Sequence, residues 1–212
     1  VHIVGTGTIG EPLVGILSTL REQFGIDEIT FHKRTPLLTD RSKVVVSCKN
    51  GAKLAVDKER RQKFIDMGME PTYEAEEAIE RASVIIDCTP VGNENKEKIY
   101  NRYAGKGRGF IAQGSEYGFG KMYARGINDR ALERGKDQFV QVVSCNTHNL
   151  AVLIDTIALG PEKEDNLEEA RFVCMRRAND LSQEGDFIPA PEAGKHDDVQ
   201  FGTHQGRDAH YL

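Results

Sequence analysis

The sequence predicts an α/β fold built on a doubly wound sheet, followed by the start of an α+β domain. Three observations predict it. Short apolar strands alternate with helix-like segments along roughly the first 113 residues, with brief connections between them. A glycine-rich turn joins the first strand to the first helix. Beyond about residue 160 the alternation gives way to a charged loop (PEKEDNLEE) and an irregular stretch rich in Gly, Pro, His and Asp. The expected domains are therefore 1–144 and 145–212, the second of them cut short.

The elements follow in order. Residues 1–4 (VHIV) form an apolar strand, then GTGTIG, then a helix. Leu13, Leu17, Leu20 and Phe24 recur at spacings of four, three and four, which places them on one helical face, and Gly25 ends the helix. Glu28 to His32 (EITFH) reads as the second strand and Lys43 to Ser47 (KVVVS) as another. Helices are expected over 57–67 and 73–82, and Ser83 to Cys88 (SVIIDC) is a strand bounded by Thr89-Pro90. A helix over 95–104 leads to a strand at 108–113. A later apolar strand runs straight into Ser144-Cys145-Asn146-Thr147 and a long apolar helix, and a last strand is expected at 170–176.

Composition narrows the class. Of 212 residues, 39% are hydrophobic and 29% charged, which is ordinary for a soluble globular protein. A net charge of −5 argues against general nucleic-acid binding, which needs a concentrated basic face. No apolar run approaches the roughly 18 residues of a membrane span, and no signal-peptide pattern opens the chain. The four cysteines are far apart without CxxC spacing, the pattern of reduced thiols in a cytoplasmic protein. Val1 already lies in a strand and "GRDAHYL" ends without a tail, so the chain reads as a piece of a longer protein.

Gly5, Gly7 and Gly10 form GxGxxG, and a strand before it with an amphipathic helix after it gives the motif its meaning. Gly5 permits the tight turn, Gly7 lets a pyrophosphate approach the backbone, and Gly10 lets helix and strand pack closely. The helix N-terminus offers free N–H groups and its positive dipole end to the phosphates. A Rossmann-type dinucleotide site is expected here, a plain glycine turn being the alternative. The end of the second strand separates the cofactors. An acid there would hold the ribose hydroxyls of NAD, whereas Lys33, Arg34 and Thr35 suit the 2′-phosphate of NADP. NADP is favoured, with NAD retained as an alternative and a solvated basic loop as the plain reading.

Cys145 stands where a strand ends and a helix begins, so the helix dipole and nearby N–H groups favour its thiolate. Asn146 and Thr147 can cap the helix or donate to an oxyanion. A thiolate beside a nicotinamide cofactor implies addition to an aldehyde, hydride loss, and attack on the thioester by phosphate or water. Cys48, Cys88 and Cys174 lie in apolar strand-like runs and read as small core residues. The acids and histidines at His196, Asp197, Asp198, His204, Asp208 and His210 match no recognised metal spacing, and no metal is expected.

These motifs carry a family resemblance. GTGTIG at 5–10, Lys33 to Pro36, DCTPVG at 87–92, QGSE at 113–116, VVSCNT at 142–147 and RRAND at 176–180 stand in the order and spacing of archaeal-type (type II) glyceraldehyde-3-phosphate dehydrogenases. The resemblance runs from residue 1 to 212. It implies a cytoplasmic, homotetrameric enzyme that oxidises glyceraldehyde 3-phosphate with inorganic phosphate and NADP or NAD, Cys145 being the nucleophile. It further implies that Thr8, Ile9, Thr89, Pro90, Gly114 and Arg177 serve the cofactor. Ser144, Asn146, Thr147, Arg176, His204, Gln205 and Gly206 would serve the substrate. The departures are His148 and Asn149 after Cys-Asn-Thr, and His204-Gln205 where the family has a histidine pair. His148, three residues after Cys145, could approach the thiol or simply lie on the helix surface. The family's catalytic histidine is expected after Leu212. A different thiolate semialdehyde or acyl-phosphate dehydrogenase, and a non-catalytic nucleotide-binding relative, are the alternatives.

Overall fold

The computed structural model describes residues 1–105, 107–114, 116–160, 167–173 and 199–212. They form two compact units, Val1–Ala112 and Gln113–Leu212.

The first unit is an α/β sheet with all its strands parallel. Its strands are β1 (His2–Val4), β2 (Thr30–His32), β3 (Lys53–Val56), β4 (Tyr73–Glu74), β5 (Val84–Asp87) and β6 (Gly109–Gln113). The helices are α1 (Gly10–Thr19), α2 (Arg41–Lys49), α3 (Arg61–Asp66), α4 (Ala75–Arg81) and α5 (Gly92–Lys98). The spatial order is β4-β3-β2-β1-β5-β6, every pairing parallel. The chain winds outward on one side of β1, then returns to build β5 and β6 on the other. That reversal leaves a crevice at the carboxyl ends of β1 and β5, where doubly wound sheets bind ligands.

The core of this unit gathers Ile3, Val14, Ile29, Phe31, Leu54, Val56 and Phe64, with Leu13, Leu17, Cys48 and Cys88 packed against it. Burial on both sheet faces explains why β3 reads as the unbroken run Leu54-Ala55-Val56.

Several expected elements differ. Lys43 to Ser47 is helix α2, and the strand is Lys53–Val56 instead. Three consecutive valines favour a strand locally. Here only Val44 is buried, Ser47 and Cys48 follow on the same face at spacings of three and four, and Asn50-Gly51 closes the helix with Gly51 at φ +93°. Helix α1 ends at Thr19, so Phe24 falls on a surface turn and Val14 takes the buried position. Helix α5 begins at Gly92, and a 3₁₀ turn over Tyr100–Tyr103 replaces its expected last turn, with Tyr100 buried.

In the second unit β7 (Lys121–Tyr123) pairs in parallel with β8 (Phe139–Val142). Helix α6 (Cys145–Leu153) follows and continues as a π-helix over Ile154–Leu159. Helix α7 (His204–Tyr211) packs against α6. Phe119 meets Phe139 edge to face at 5.6 Å. Residues 170–173 lie outside regular structure, and the remainder of the strand expected at 170–176 lies outside the described residues. No helix among the described residues is long and apolar enough to cross a membrane.

Candidate functional site

The glycine turn follows β1 and opens α1. Gly5 sits at φ +88°, and a Cβ there would lie 2.9 Å from the Thr89 Cγ2 methyl. A Cβ on Gly10 would stand 1.9 Å from the Gly5 carbonyl oxygen and 3.3 Å from Cys88 Cβ, so only glycine lets the helix close onto the turn. A Cβ on Gly7 would meet nothing within 4 Å. Two of the glycines therefore answer to the protein's own packing, while the middle one borders open space. That combination fits a phosphate laid on the backbone. Thr8 and Ile9 are exposed beside it, and Pro12 stands in the first helical turn, where its missing N–H costs nothing.

On the other side of the crevice Thr89 and Pro90 follow β5. Their loop is held by Asp87, a carboxylate with no exposed surface. Asp87 Oδ1 accepts from the Thr89 N–H at 2.8 Å and the Thr89 hydroxyl at 2.6 Å. Its Oδ2 accepts from Asn95 Nδ2 at 2.8 Å and the Tyr100 hydroxyl at 2.7 Å. Burial, reinforced by the Asp87 charge, holds the Tyr100 hydroxyl in its protonated, donating form. Four donors on two oxygens fix the loop that contacts the glycine turn. The sequence reading did not assign Asp87 a role, although an acid closing an apolar strand was a visible signal.

The end of β2 carries the cations. Lys33 is buried and its ammonium sits 2.5 Å from Asp40 Oδ2. Arg34 and Thr35 are exposed. His32 Nε2 lies 3.0 Å from Asp57 Oδ1 at the end of β3, and this contact holds the Asp57 carboxyl below its ordinary range. Arg60 reaches across from the turn after β3: its Nη1 donates to the Arg34 carbonyl at 2.5 Å, and its Nε stands 3.7 Å from Asp57 Oδ2. Sequence inspection had no means of placing Arg60 here, because the contact exists only once β2 and β3 pair.

The thiols separate by environment. Cys88 is pushed up to about 12 by burial and then by the Asp87 charge, and burial also raises Cys48, so neither is a ready nucleophile. Cys48 stands on α2 and Cys88 just after β5, both against the core; Cys174 lies outside the described residues. Cys145 is exposed and is the first residue of α6.

The cap of that helix is Ser144. Its backbone is extended (φ −62°, ψ 156°), and its Oγ accepts from the Thr147 N–H at 3.2 Å and lies 2.9 Å from the Thr147 hydroxyl. Thr147 is fully buried, so the capping expected of Asn146 and Thr147 falls to Ser144, with Thr147 as the partner that closes the turn. Asn146 is half-buried beside Cys145. His148 is a helix-side residue whose Nε2 lies 3.0 Å from the Arg125 carbonyl oxygen. A carbonyl only accepts, so that nitrogen carries the hydrogen.

Gly114, at φ +82°, is tied to the strand leading to Cys145: its N–H donates to the Val142 carbonyl at 2.9 Å, and its carbonyl accepts from Gln141 Nε2 at 3.2 Å. His204, Gln205 and Gly206 form the first turn of α7, the helix packed on α6. A Cβ on Gly206 would stand 2.4 Å from the Phe201 carbonyl oxygen. In the same helix Asp208 is fully buried, its Oδ1 paired with Arg207 at 3.0 Å, and the Arg207 guanidinium lies 4.0 Å from the Tyr117 ring centroid. Arg176 and Arg177 lie outside the described residues. Among the described residues no group of His, Cys, Asp and Glu is arranged to hold a metal ion.

No family model matches the chain. Its sequence is similar to archaeal proteins named glyceraldehyde-3-phosphate dehydrogenase. Identity is 32% over 191 residues with that of Methanobacterium bryantii, covering 86% of this chain and 51% of the relative. It is 31% over 185 residues with that of Sulfolobus acidocaldarius, covering 85% and 49%. It is 30% over 200 residues with that of Pyrobaculum neutrophilum, covering 90% and 54%. The chain spans about half the length of the curated relatives it matches.

Proposed function

We propose, from its sequence kinship with the archaeal glyceraldehyde-3-phosphate dehydrogenases, that this chain is the cofactor-binding part and the thiol-bearing start of a phosphorylating aldehyde dehydrogenase. The observation that carries the reading is Cys145: an exposed thiol on the first residue of a helix whose turn is clamped by Ser144 and Thr147. The cofactor would be held by the turn Gly5–Gly10, by the Thr89-Pro90 loop and by the cationic end of β2. When bound, the nicotinamide supplies the acceptor for a hydride.

The chain's own residues then account for the rest. The Cys145 thiolate adds to the aldehyde carbon of glyceraldehyde 3-phosphate, forming a C–S bond and placing negative charge on the former carbonyl oxygen. Asn146 and the open N–H groups of the α6 first turn are the donors for that charge. Loss of hydride from the same carbon leaves a thioester on Cys145. Inorganic phosphate attacks the thioester carbon, the C–S bond breaks, and 1,3-bisphosphoglycerate leaves as the thiolate is restored. The His204–Gly206 turn and Arg176 are assigned to the substrate, and Gly114 and Arg177 to the cofactor. The enzyme is read as a cytoplasmic homotetramer that prefers NADP to NAD.

The test follows NADPH formation from glyceraldehyde 3-phosphate in the intact protein, with and without inorganic phosphate. Phosphate-dependent NADPH is expected, and Cys145→Ser should lower turnover by at least about a thousandfold with NADPH binding retained. Turnover that ignores phosphate, or that survives the substitution, would sink the thioester route.

A further inference from the structure

We propose that Gln141 is a positioning residue: its buried amide locks the turn at Gly114 to the strand that delivers Cys145, and so fixes where a nicotinamide ring stands relative to the thiol. The inference rests on the dehydrogenase reading above and names a residue to which that reading gives no role.

The strand reads FVQVV, and Gln141 is its one polar residue. Side chains alternate along a strand, so Phe139, Gln141 and Val143 share a side. Phe139 meets Phe119 edge to face at 5.6 Å, and Val143 is buried. The row asks for an apolar side chain between them, yet it holds an amide with no exposed surface. The Gln141 Oε1 has no hydrogen-bond partner among the described residues, a cost that a methionine of similar length would avoid. An amide kept at such a cost serves something other than packing.

Its service is at Nε2, which donates to the Gly114 carbonyl at 3.2 Å. The Gly114 N–H in turn donates to the Val142 carbonyl at 2.9 Å. Two successive residues of β8 therefore hold both backbone groups of one glycine. The next residue, Val143, donates its N–H to the Tyr123 carbonyl at 3.1 Å, and Ser144 then caps α6. All these residues and Cys145 belong to the second unit, so the turn and the thiol hang from the same strand end.

Gly114 sits at φ +82°, and a Cβ there would meet nothing within 4 Å. With its N–H and carbonyl already engaged, Gly114 offers a ligand a bare Cα face beside open space. A flat ring suits such a face better than a group in search of hydrogen bonds. Hydride leaves the carbon held on Cys145 efficiently only when the reacting atoms stand about 3–3.5 Å apart, and a misplacement of about 1 Å can cost a hundredfold. Slack in the Gly114 turn therefore enters the rate directly.

The experiment compares the intact protein with Gln141→Met and Gln141→Asn. Methionine keeps the length without the donor; asparagine keeps the amide but draws it back by one methylene. Both should lower kcat for glyceraldehyde 3-phosphate at least about tenfold, with KM within about threefold. Alkylation of Cys145 by iodoacetamide in the cofactor-free protein should stay within about threefold of the parent, because Ser144 and Thr147 still close the α6 turn. Hydrogen exchange in a peptide spanning Gly114 should quicken in both variants. Parent-like kcat in Gln141→Met overturns the role, as does unchanged exchange at Gly114. Alkylation that falls in step with kcat also overturns it, since Gln141 would then merely support the thiol's own turn. A parent with no turnover of glyceraldehyde 3-phosphate overturns the dehydrogenase reading and this role with it.

Discussion

A single buried carboxylate organises one wall of the crevice at the carboxyl ends of β1 and β5. Asp87 takes two donors on each oxygen, and each of them belongs to a different duty: Thr89 shapes the loop, while Asn95 and Tyr100 tie that loop to α5 and the turn beyond it. Buried carboxylates are tolerated where hydrogen bonds replace the lost water, and charge-assisted bonds are the strong ones. Asp87→Asn keeps the shape but turns one oxygen into an NH₂ group facing two donors. Equilibrium denaturation should show a loss of about 1–3 kcal/mol for Asp87→Asn, and a smaller one near 1 kcal/mol for Tyr100→Phe, which only removes one of the four donors. Equal losses from the two variants would mean that Asp87 is not the organising group. At the same scale, Cys145 differs from Cys48 and Cys88 only by its surroundings: exposure and a helix start against burial and a packed core.

At the scale of the element, the strand–turn–helix from β1 to α1 shows two glycines required by the protein's own packing and one bordering open space. The Gly10 Cβ position collides with the Gly5 carbonyl at 1.9 Å, so Gly10→Ala must part α1 from the turn. It should cost about 1–3 kcal/mol in stability. Gly7→Ala meets no atom within 4 Å, and its thermal unfolding should match the parent to within about 0.5 kcal/mol. Nucleotide titration should nonetheless show Gly7→Ala binding at least tenfold more weakly, on the order of a clash with the pyrophosphate. Gly7→Ala binding as tightly as the parent would remove the phosphate from this turn. The same element scale explains the α2 error in the sequence reading. A valine run carries a real strand preference, but Asn50-Gly51 terminates a helix and β3 already fills the place beside β2.

For the whole molecule, two groups in the first unit set an acid limit on stability. His2, fully buried in β1 with its Nδ1 2.7 Å from the Thr30 hydroxyl, is lowered to about 3, first by burial and then by His32 and the N-terminal charge. It is neutral in the folded protein, while the unfolded chain takes up its proton near the ordinary 6.5. Stability therefore falls as pH drops below about 6.5 and continues to fall towards 3, at up to about 1.4 kcal/mol per pH unit. For Glu28, partial burial acts upward, but hydrogen bonds from Lys53, Arg81 and Tyr73 outweigh it and bring the carboxyl to about 2. Its contribution is whole above the ordinary 4.5 and is lost as pH falls from there towards 2, so the two effects add. Urea midpoints measured from pH 7 to 4 should decline, and His2→Gln should flatten the part above pH 4.5. A decline that His2→Gln leaves untouched would place the proton elsewhere.

The alternation of strand and helix, the glycine turn and the position of Cys145 before an apolar helix were legible in the chain itself, because each depends on neighbours a few residues away. Periodicity, turn chemistry and helix starts are local properties, and local properties survive in a string of letters. What only the tertiary structure decided lies between segments. It made a helix of KVVVS, bound His148 to the Arg125 carbonyl, hid Lys33 against Asp40, and set Arg60 on the backbone of Arg34. Those outcomes hang on contacts across 7 to 26 residues of sequence for the three side-chain pairings. Which partner wins such a contact depends on how parallel strands register, a collective choice that no segment makes alone.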